Sequence, residues 1–166
     1  MDTLRGQENG QKSLWNLPGN INLCFIYLEV LDIMTKDGIL NPEIISSLTA
    51  IGHTEYLVIA DSGLPLPAKS NINIIDLSLV KGIPSFIQVL DAVMQKFVIE
   101  SYILAEEITE KNKELYRHVG KYLSDVPEKL VSHEEFKELT KKSHTIIRTG
   151  EATPYANVIL VGGVNF

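Results

Sequence analysis

A chain of 166 residues, 45% hydrophobic and 22% charged, is long enough to build one domain around a sizeable core. Its formal net charge of -6 argues against a nucleic-acid binder, which would present a basic patch. The single cysteine, Cys24, excludes an intramolecular disulfide and a CxxC metal knuckle, and a reducing cytoplasm is the simplest setting for it.

Residues 1–20 are polar and rich in Gly, Asn and Gln; residues 21–33 are apolar but follow neither a helical stripe nor a strict alternation. That run carries Glu29 and Asp32 and is shorter than the ~20 apolar residues a membrane span needs. No small-residue cleavage site follows it, so it does not read as a signal peptide either. Composition changes at Met34, and residues 1–33 are expected to be an N-terminal extension outside the core, with residues 34–166 forming the domain.

From residue 39 the pattern reads strand, helix, strand. Asn41 and Pro42 are N-cap and first-turn residues for a helix burying Ile44, Ile45, Leu48 and Ile51 and ending at Gly52. Tyr56-Leu57-Val58-Ile59-Ala60 is a continuous apolar run, the signature of a strand buried on both faces. Ile72 to Val80 reads as a second strand. Ser85 caps a helix through Phe97 with Phe86, Val89, Leu90, Val93 and Met94 inward, and Tyr102 to Ala105 is a short buried strand. A polar-faced helix is predicted over Glu110 to Leu123, and a capping box at Ser132 to Glu135 opens another ending at Lys141. The apolar runs either side of Pro154 finish the chain as strands. Short buried strands alternating with amphipathic helices predict an α/β fold: three layers, a mostly parallel sheet flanked by helices, in a single domain.

Several chemistries lack their motifs. There is no GxGxxG or GxxxxGK[ST] for nucleotides, no HExxH, and no G-x-S-x-G elbow. His53, His118, His133 and His144 lack ligand spacing with carboxylates or the cysteine, so no metal is expected. Chemistry by side-chain acids and bases remains. His53, just past the glycine that ends the first helix, is either a residue favoured by the helix dipole or a proton donor or acceptor. Asp61 ends the first core strand, where α/β sheets collect ligands; it either caps its own turn or accepts hydroxyls. His133 on its own reads as a surface first-turn residue. Tyr155 and Asn157 alternate with Ala156 and Val158 along the expected strand and so share one side. Glu106 and Glu107 are neighbours after a buried strand and read as a solvated strand end.

Gly52-His53-Thr54, Asp61-x-Gly63-Leu64-Pro65, Gly82-x-Pro84-Ser85-Phe86, Leu104-Ala105-Glu106-Glu107-Ile108 and Arg148-x-Gly150-Glu151-x-x-Pro154-Tyr155-Ala156-Asn157 together resemble the D-ribose pyranase family, within the ribose and fucose mutarotases. The resemblance runs over residues 34–166. Ser62 replaces the usual alanine, and the loop Ala68 to Asn73 departs from the pattern. The resemblance implies an isomerase that interconverts pyranose and furanose forms of D-ribose by opening and reclosing the hemiacetal, with no cofactor and no metal. It implies His53 as the proton donor, and Asp61, His133, Tyr155, Ala156 and Asn157 as substrate-binding residues. The product would supply the ring form that a ribose kinase consumes.

Extended chain at ~3.3 Å per residue would separate His53 from Asp61 by roughly 20 Å, so either the chain folds back after Asp61 or the site joins two subunits. The resemblance implies a ring-like homo-oligomer, a decamer, with sites between subunits; the acidic charge and the lack of a spanning run point to no nucleic-acid and no membrane partner. Two rival readings are an L-fucose-type mutarotase and a non-catalytic sugar-binding accessory of ribose uptake.

Overall fold

The computed structural model describes residues 38–67 and 71–165. The expected extension, residues 1–33, lies outside the described residues, as does the 68–70 part of the departing loop. Five helices and six strands form among the described residues.

Helix α1 (Pro42–Ala50) starts where the sequence indicates: Asn41 Oδ1 accepts from the amides of Glu43 and Ile44 at 2.9 and 3.2 Å. Pro42 sits in the first turn, where no amide is needed. The helix buries Ile44 and Ser47, with Leu48 and Ile51 at the margin of the core; Ile45, expected inward, is exposed. Successive helical residues point about 100° apart, so Ile44 takes the core face and Ile45 does not. Ile39 and Leu40, expected as a strand, form none.

Strand β1 (Tyr56–Ala60) matches the predicted run. Strand β2 (Asn73–Asp76) is shorter than predicted, because Asp76 Oδ1 accepts from both the amide and the hydroxyl of Ser78 and turns the chain. Helix α2 (Phe86–Met94) has a reciprocal Ser85–Gln88 capping box and ends before Phe97. Strand β3 (Ile99–Ala105) begins earlier than Tyr102. The single helix predicted over 110–123 is two, α3 (Ile108–Lys111) and α4 (Lys113–Tyr122). Asn112, at φ -145° and ψ 61°, interrupts them and its Oδ1 caps α4 at the amide of Leu115. Strand β4 (Glu128–Val131) has no counterpart in the sequence reading; it is an edge strand whose last residue alone is buried. Helix α5 (His133–Thr140) follows the Ser132 cap, and β5 (Thr145–Arg148) and β6 (Val158–Gly162) complete the sheet.

The strand order is β2-β5-β1-β6-β3-β4. Five strands run one way, and β6 is antiparallel to both its neighbours. Residues alternate cleanly between the faces: Leu57 and Ile59 join α1 to α4 in one core, while Val58 and Ala60 join Phe136 of α5 in the other. The sheet is thus the middle of three layers. Burying a side chain such as Phe136, fully shielded, contributes ~1.5–3 kcal/mol. No helix among the described residues is long and apolar enough to cross a membrane.

This topology brings the carboxyl ends of β1, β3, β4 and β5 to the same edge of the sheet as the amino end of β6. Its opposite edge carries the turn before β1, the start of β3 and the end of β6.

Candidate active site

At the first of these edges the loops enclose a cleft of about 320 Å³. Asp61, His133, Tyr155 and Asn157 all line it. Asp61 follows β1 directly and is only 8% exposed. Its Oδ2 accepts from Asn157 Nδ2 at 2.7 Å, and Asn157 Oδ1 accepts from the Asp61 amide at 2.8 Å. The Gly63 amide donates to Oδ1 at 2.9 Å. Each carboxylate oxygen therefore holds one internal donor and retains a lone pair for a hydroxyl.

His133 occupies the first turn of α5 and meets the ring of Tyr155 edge-to-face, with centroids 5.1 Å apart at 77°. Its amide donates to Glu107 Oε1 at 3.1 Å. Glu107 is consequently half-buried rather than at a solvated strand end, and its Oε2 is buried with no partner among the described residues. Tyr155 does not lie on a strand, since β6 begins at Val158. It sits in a turn at φ 62°, a rare conformation for a bulky residue. Asn112 Nδ2 supports that turn by donating to Pro154 O at 3.1 Å. A turn, not a pleat, therefore aims Tyr155 and Asn157 at one cleft. Ala156 is fully buried in the core, and its side chain is not part of the cleft lining.

His53 is not in this cleft. It precedes β1 at the opposite edge of the sheet, with six extended steps from Glu55 to Asp61 spanning about 20 Å. Its turn is tightly held: the Gly52 amide donates to Glu55 Oε2 at 2.7 Å, and the Thr54 amide to Gly162 O at 2.9 Å. Thr54 has φ 66°, unusual for a β-branched residue. The ring Nε2 lies 2.9 Å from Glu100 Oε2.

Two residues that organise the cleft were not assigned roles from sequence. Glu151 Oε2 accepts from the Phe86 amide at 3.3 Å, and Oε1 accepts from the amides of Ala152 and Thr153 and the Thr153 hydroxyl. Its carbonyl accepts from the Ser62 amide and hydroxyl at 2.8 and 2.7 Å. The serine that departs from the family's alanine thus adds a bond between the two cleft loops. Arg148 Nη2 donates to Ser62 O at 2.7 Å and Nη1 to Asp76 at 3.2 Å, tying the ends of β5 and β2 to the same loop.

Partial burial opposes ionisation of Glu151, but the hydrogen bonds from Thr153, Phe86 and Ala152 outweigh it and hold the carboxyl below its ordinary value. A depressed folded-state value makes the stabilisation fully present above the ordinary glutamate range and lost as pH falls through the depressed one. Glu151→Gln is therefore expected to lower the melting temperature by a few degrees at neutral pH, the gap from wild type closing as the buffer is acidified. A gap that stays constant with pH would remove the charge from this account.

A family model described as the RbsD / FucU transport protein family matches residues 34–165. The D-ribose pyranases of Geobacillus thermodenitrificans and Geobacillus kaustophilus are 54% and 52% identical over 133 residues, covering 80% of this chain and 99% and 96% of theirs. The structure of Bacillus subtilis RbsD complexed with D-ribose aligns at a TM-score of 0.76 and 44% identity, over 80% of this chain and 100% of that one. A Streptococcus pneumoniae fucose mutarotase in complex with L-fucose shares the fold, at a TM-score of 0.65 and 23% identity over 76% of this chain and 95% of that one.

Proposed function

Since the chain belongs to the RbsD / FucU family, we propose that it is a D-ribose pyranase, an isomerase that interconverts the six- and five-membered ring forms of D-ribose. The observation that carries this reading is the convergence of Asp61, His133, Tyr155 and Asn157 on one cleft, within a chain 54% identical to a D-ribose pyranase. A locked carboxylate–amide pair, an imidazole and a phenol suit a small polyhydroxylated ligand. Asp61 and Asn157 accept and donate to sugar hydroxyls, and Tyr155 and His133 border the ring. Ala156, buried in the core between Tyr155 and Asn157, anchors the backbone that carries them.

The reaction needs proton movement and little else. As the bond from C1 to the ring oxygen breaks, an acid protonates that oxygen while a base takes the proton of the anomeric hydroxyl, leaving the aldehyde. Another hydroxyl then adds to C1 and the proton transfers reverse, so the net change is zero. His53 is the donor, and Asp61 and His133 share the base and orienting roles. Positioned groups of this kind contribute ~10²–10⁴-fold.

Because His53 and the cleft lie at opposite edges of one sheet, the complete site joins two subunits: one chain's cleft and a neighbour's His53. A ring-like homo-oligomer satisfies this for every chain, since each presents both halves. The cytoplasm suits a chain with one cysteine, and the product ring form would feed a sugar-phosphorylating step.

NMR saturation transfer on D-ribose, with and without the protein, tests the proposal. Faster pyranose–furanose exchange is the expected result. Acceleration confined to L-fucose, or ribose binding without acceleration, would replace the reading with the fucose-type or the non-catalytic one.

A further inference from the structure

Of the ring nitrogens of His53, Nε2 has a partner, the carboxylate of Glu100 at 2.9 Å, while Nδ1 has none among the described residues. Glu100 is brought there by an irregularity in the sheet. On β3, Ile99 pairs with Gly162 and Ser101 with Val161, so two steps on β3 oppose one on β6 and Glu100 is the extra residue of a bulge. Bulges re-aim side chains and gather beside active sites. Without this one, Glu100 would follow the pleat. The same Gly162 holds the His53 turn, accepting from the Thr54 amide and donating to Glu55 O, both at 2.9 Å. The backbone of the turn and the carboxylate that meets its imidazole are thus registered to one residue.

We infer that Glu100 is the positioning residue for His53: it binds Nε2–H, fixes the tautomer and the ring plane, and leaves Nδ1 as the nitrogen that exchanges the proton with the sugar. The inference rests on the reading of His53 as the acid. A carboxylate only accepts hydrogen bonds, so Nε2 carries its hydrogen whether the imidazole is neutral or charged. In the charged form Nδ1–H passes its proton to the ring oxygen as the bond to C1 breaks. Nδ1 recovers a proton from the hydroxyl that recloses on C1. Both members of the pair are about half exposed, so it contributes little to the stability of the fold. Its value lies in orientation, the role that partners of functional histidines commonly take. In the sequence Glu100 stands in no quoted motif, and only the bulge reveals it.

Two readouts on the assembled protein test this. Solid-state ¹⁵N spectra of histidine-labelled protein, with the His53 signals identified by their loss in His53→Ala, report which nitrogen is protonated. Wild type is expected to show hydrogen on Nε2 in the neutral ring, and Glu100→Gln to lose that preference, because an amide can also donate. Maximal ribose exchange is expected to fall ~10–100-fold in Glu100→Gln and Glu100→Leu with KM little changed, since the sugar is held by the other subunit's cleft. A wild-type neutral ring protonated on Nδ1, or full maximal exchange in both variants, would overturn the assignment. The spectrum needs no sugar. Failure of wild type to exchange ribose would therefore strike the D-ribose pyranase reading, while the tautomer still decides the role of Glu100.

Discussion

Replacing His53 with alanine is expected to slow ribose ring exchange by ~10²–10⁴-fold while ribose binding is retained, because the acid is lost and the cleft is untouched. Saturation transfer measures the first effect and equilibrium titration with ribose the second. The proposed division of the site between subunits allows a sharper form of the experiment. Asp61→Asn removes the carboxylate of the cleft but leaves His53 intact. When His53→Ala and Asp61→Asn chains are dissociated, mixed equally and reassembled, about a quarter of the interfaces pair an intact cleft with an intact histidine. Mixed assemblies are expected to recover exchange that neither variant has alone. No recovery in verified mixed oligomers would put both residues in one subunit's site and contradict the separation along β1. Exchange at the wild-type rate in His53→Ala would remove His53 as the donor.

The largest effect on stability is expected from Gly150→Ala. A Cβ at this position would stand 2.2 Å from the carbonyl oxygen of Ile83 and 2.6 Å from that of Val80. Both are backbone atoms and cannot rotate aside. Gly150 is also bonded on both sides of its peptide: its amide donates to Pro84 O at 2.9 Å and its carbonyl accepts from the Gly82 amide at 2.6 Å. Relief requires moving the loop that carries Glu151, or the one that leads into α2. A cost of about 3 kcal/mol follows, at the upper end of overpacking, or a fall of roughly 10 °C in melting temperature. Gly120→Ala is the control. It lies inside α4 with nothing within 4 Å of the added carbon, and is expected to be neutral or stabilising by ~1 kcal/mol. Equal behaviour of the two variants in thermal unfolding would show that the close approach at Gly150 is not what matters.

The parts of this structure that were legible in the sequence are those written in burial and capping. The apolar run Tyr56 to Ala60 is buried on both faces and became the central strand β1 with those bounds; Asn41 and Ser85 cap the helices they were expected to cap. Edge elements were harder to read. In β4, Glu128, Lys129 and Leu130 face solvent, so no apolar period marks the strand. The direction of β6 is not encoded in its pattern at all, because a strand buried on both faces reads the same in either orientation. Asn112 ends a helix through a side-chain hydrogen bond that competes with the backbone, inside a stretch whose polar face looks continuous.

The site divides in the same way. The resemblance singled out Asp61, His133, Tyr155 and Asn157, which share the cleft. The means by which they converge was not visible: a tyrosine at positive φ carries no flag of the kind a glycine would. Glu107 was read with Glu106 as a solvated strand end, but both lie in the turn after β3. Local sequence could not show that the start of α5 would come to rest on its carboxylate. The distance between His53 and Asp61 did follow from counting residues along a strand.

Strand β6 runs from one functional edge of the sheet to the other. One end continues directly from Asn157 and the sugar cleft; the other, Gly162, fastens the turn bearing His53. With β1 on one side and β3 on the other, it acts as a tie-rod between the cleft and the His53 turn, which in the proposed two-subunit site serve different sugars. Neither end can slide without carrying the other, because five residues of central strand neither stretch nor fold. In a closed ring every chain would contribute such a rod, each linking the substrate grip of one interface to the proton source of the next. Subunits built this way are links in a chain of mutual alignment, and the tolerance of each catalytic gap is set by the stiffness of the sheet rather than by the loops that close it.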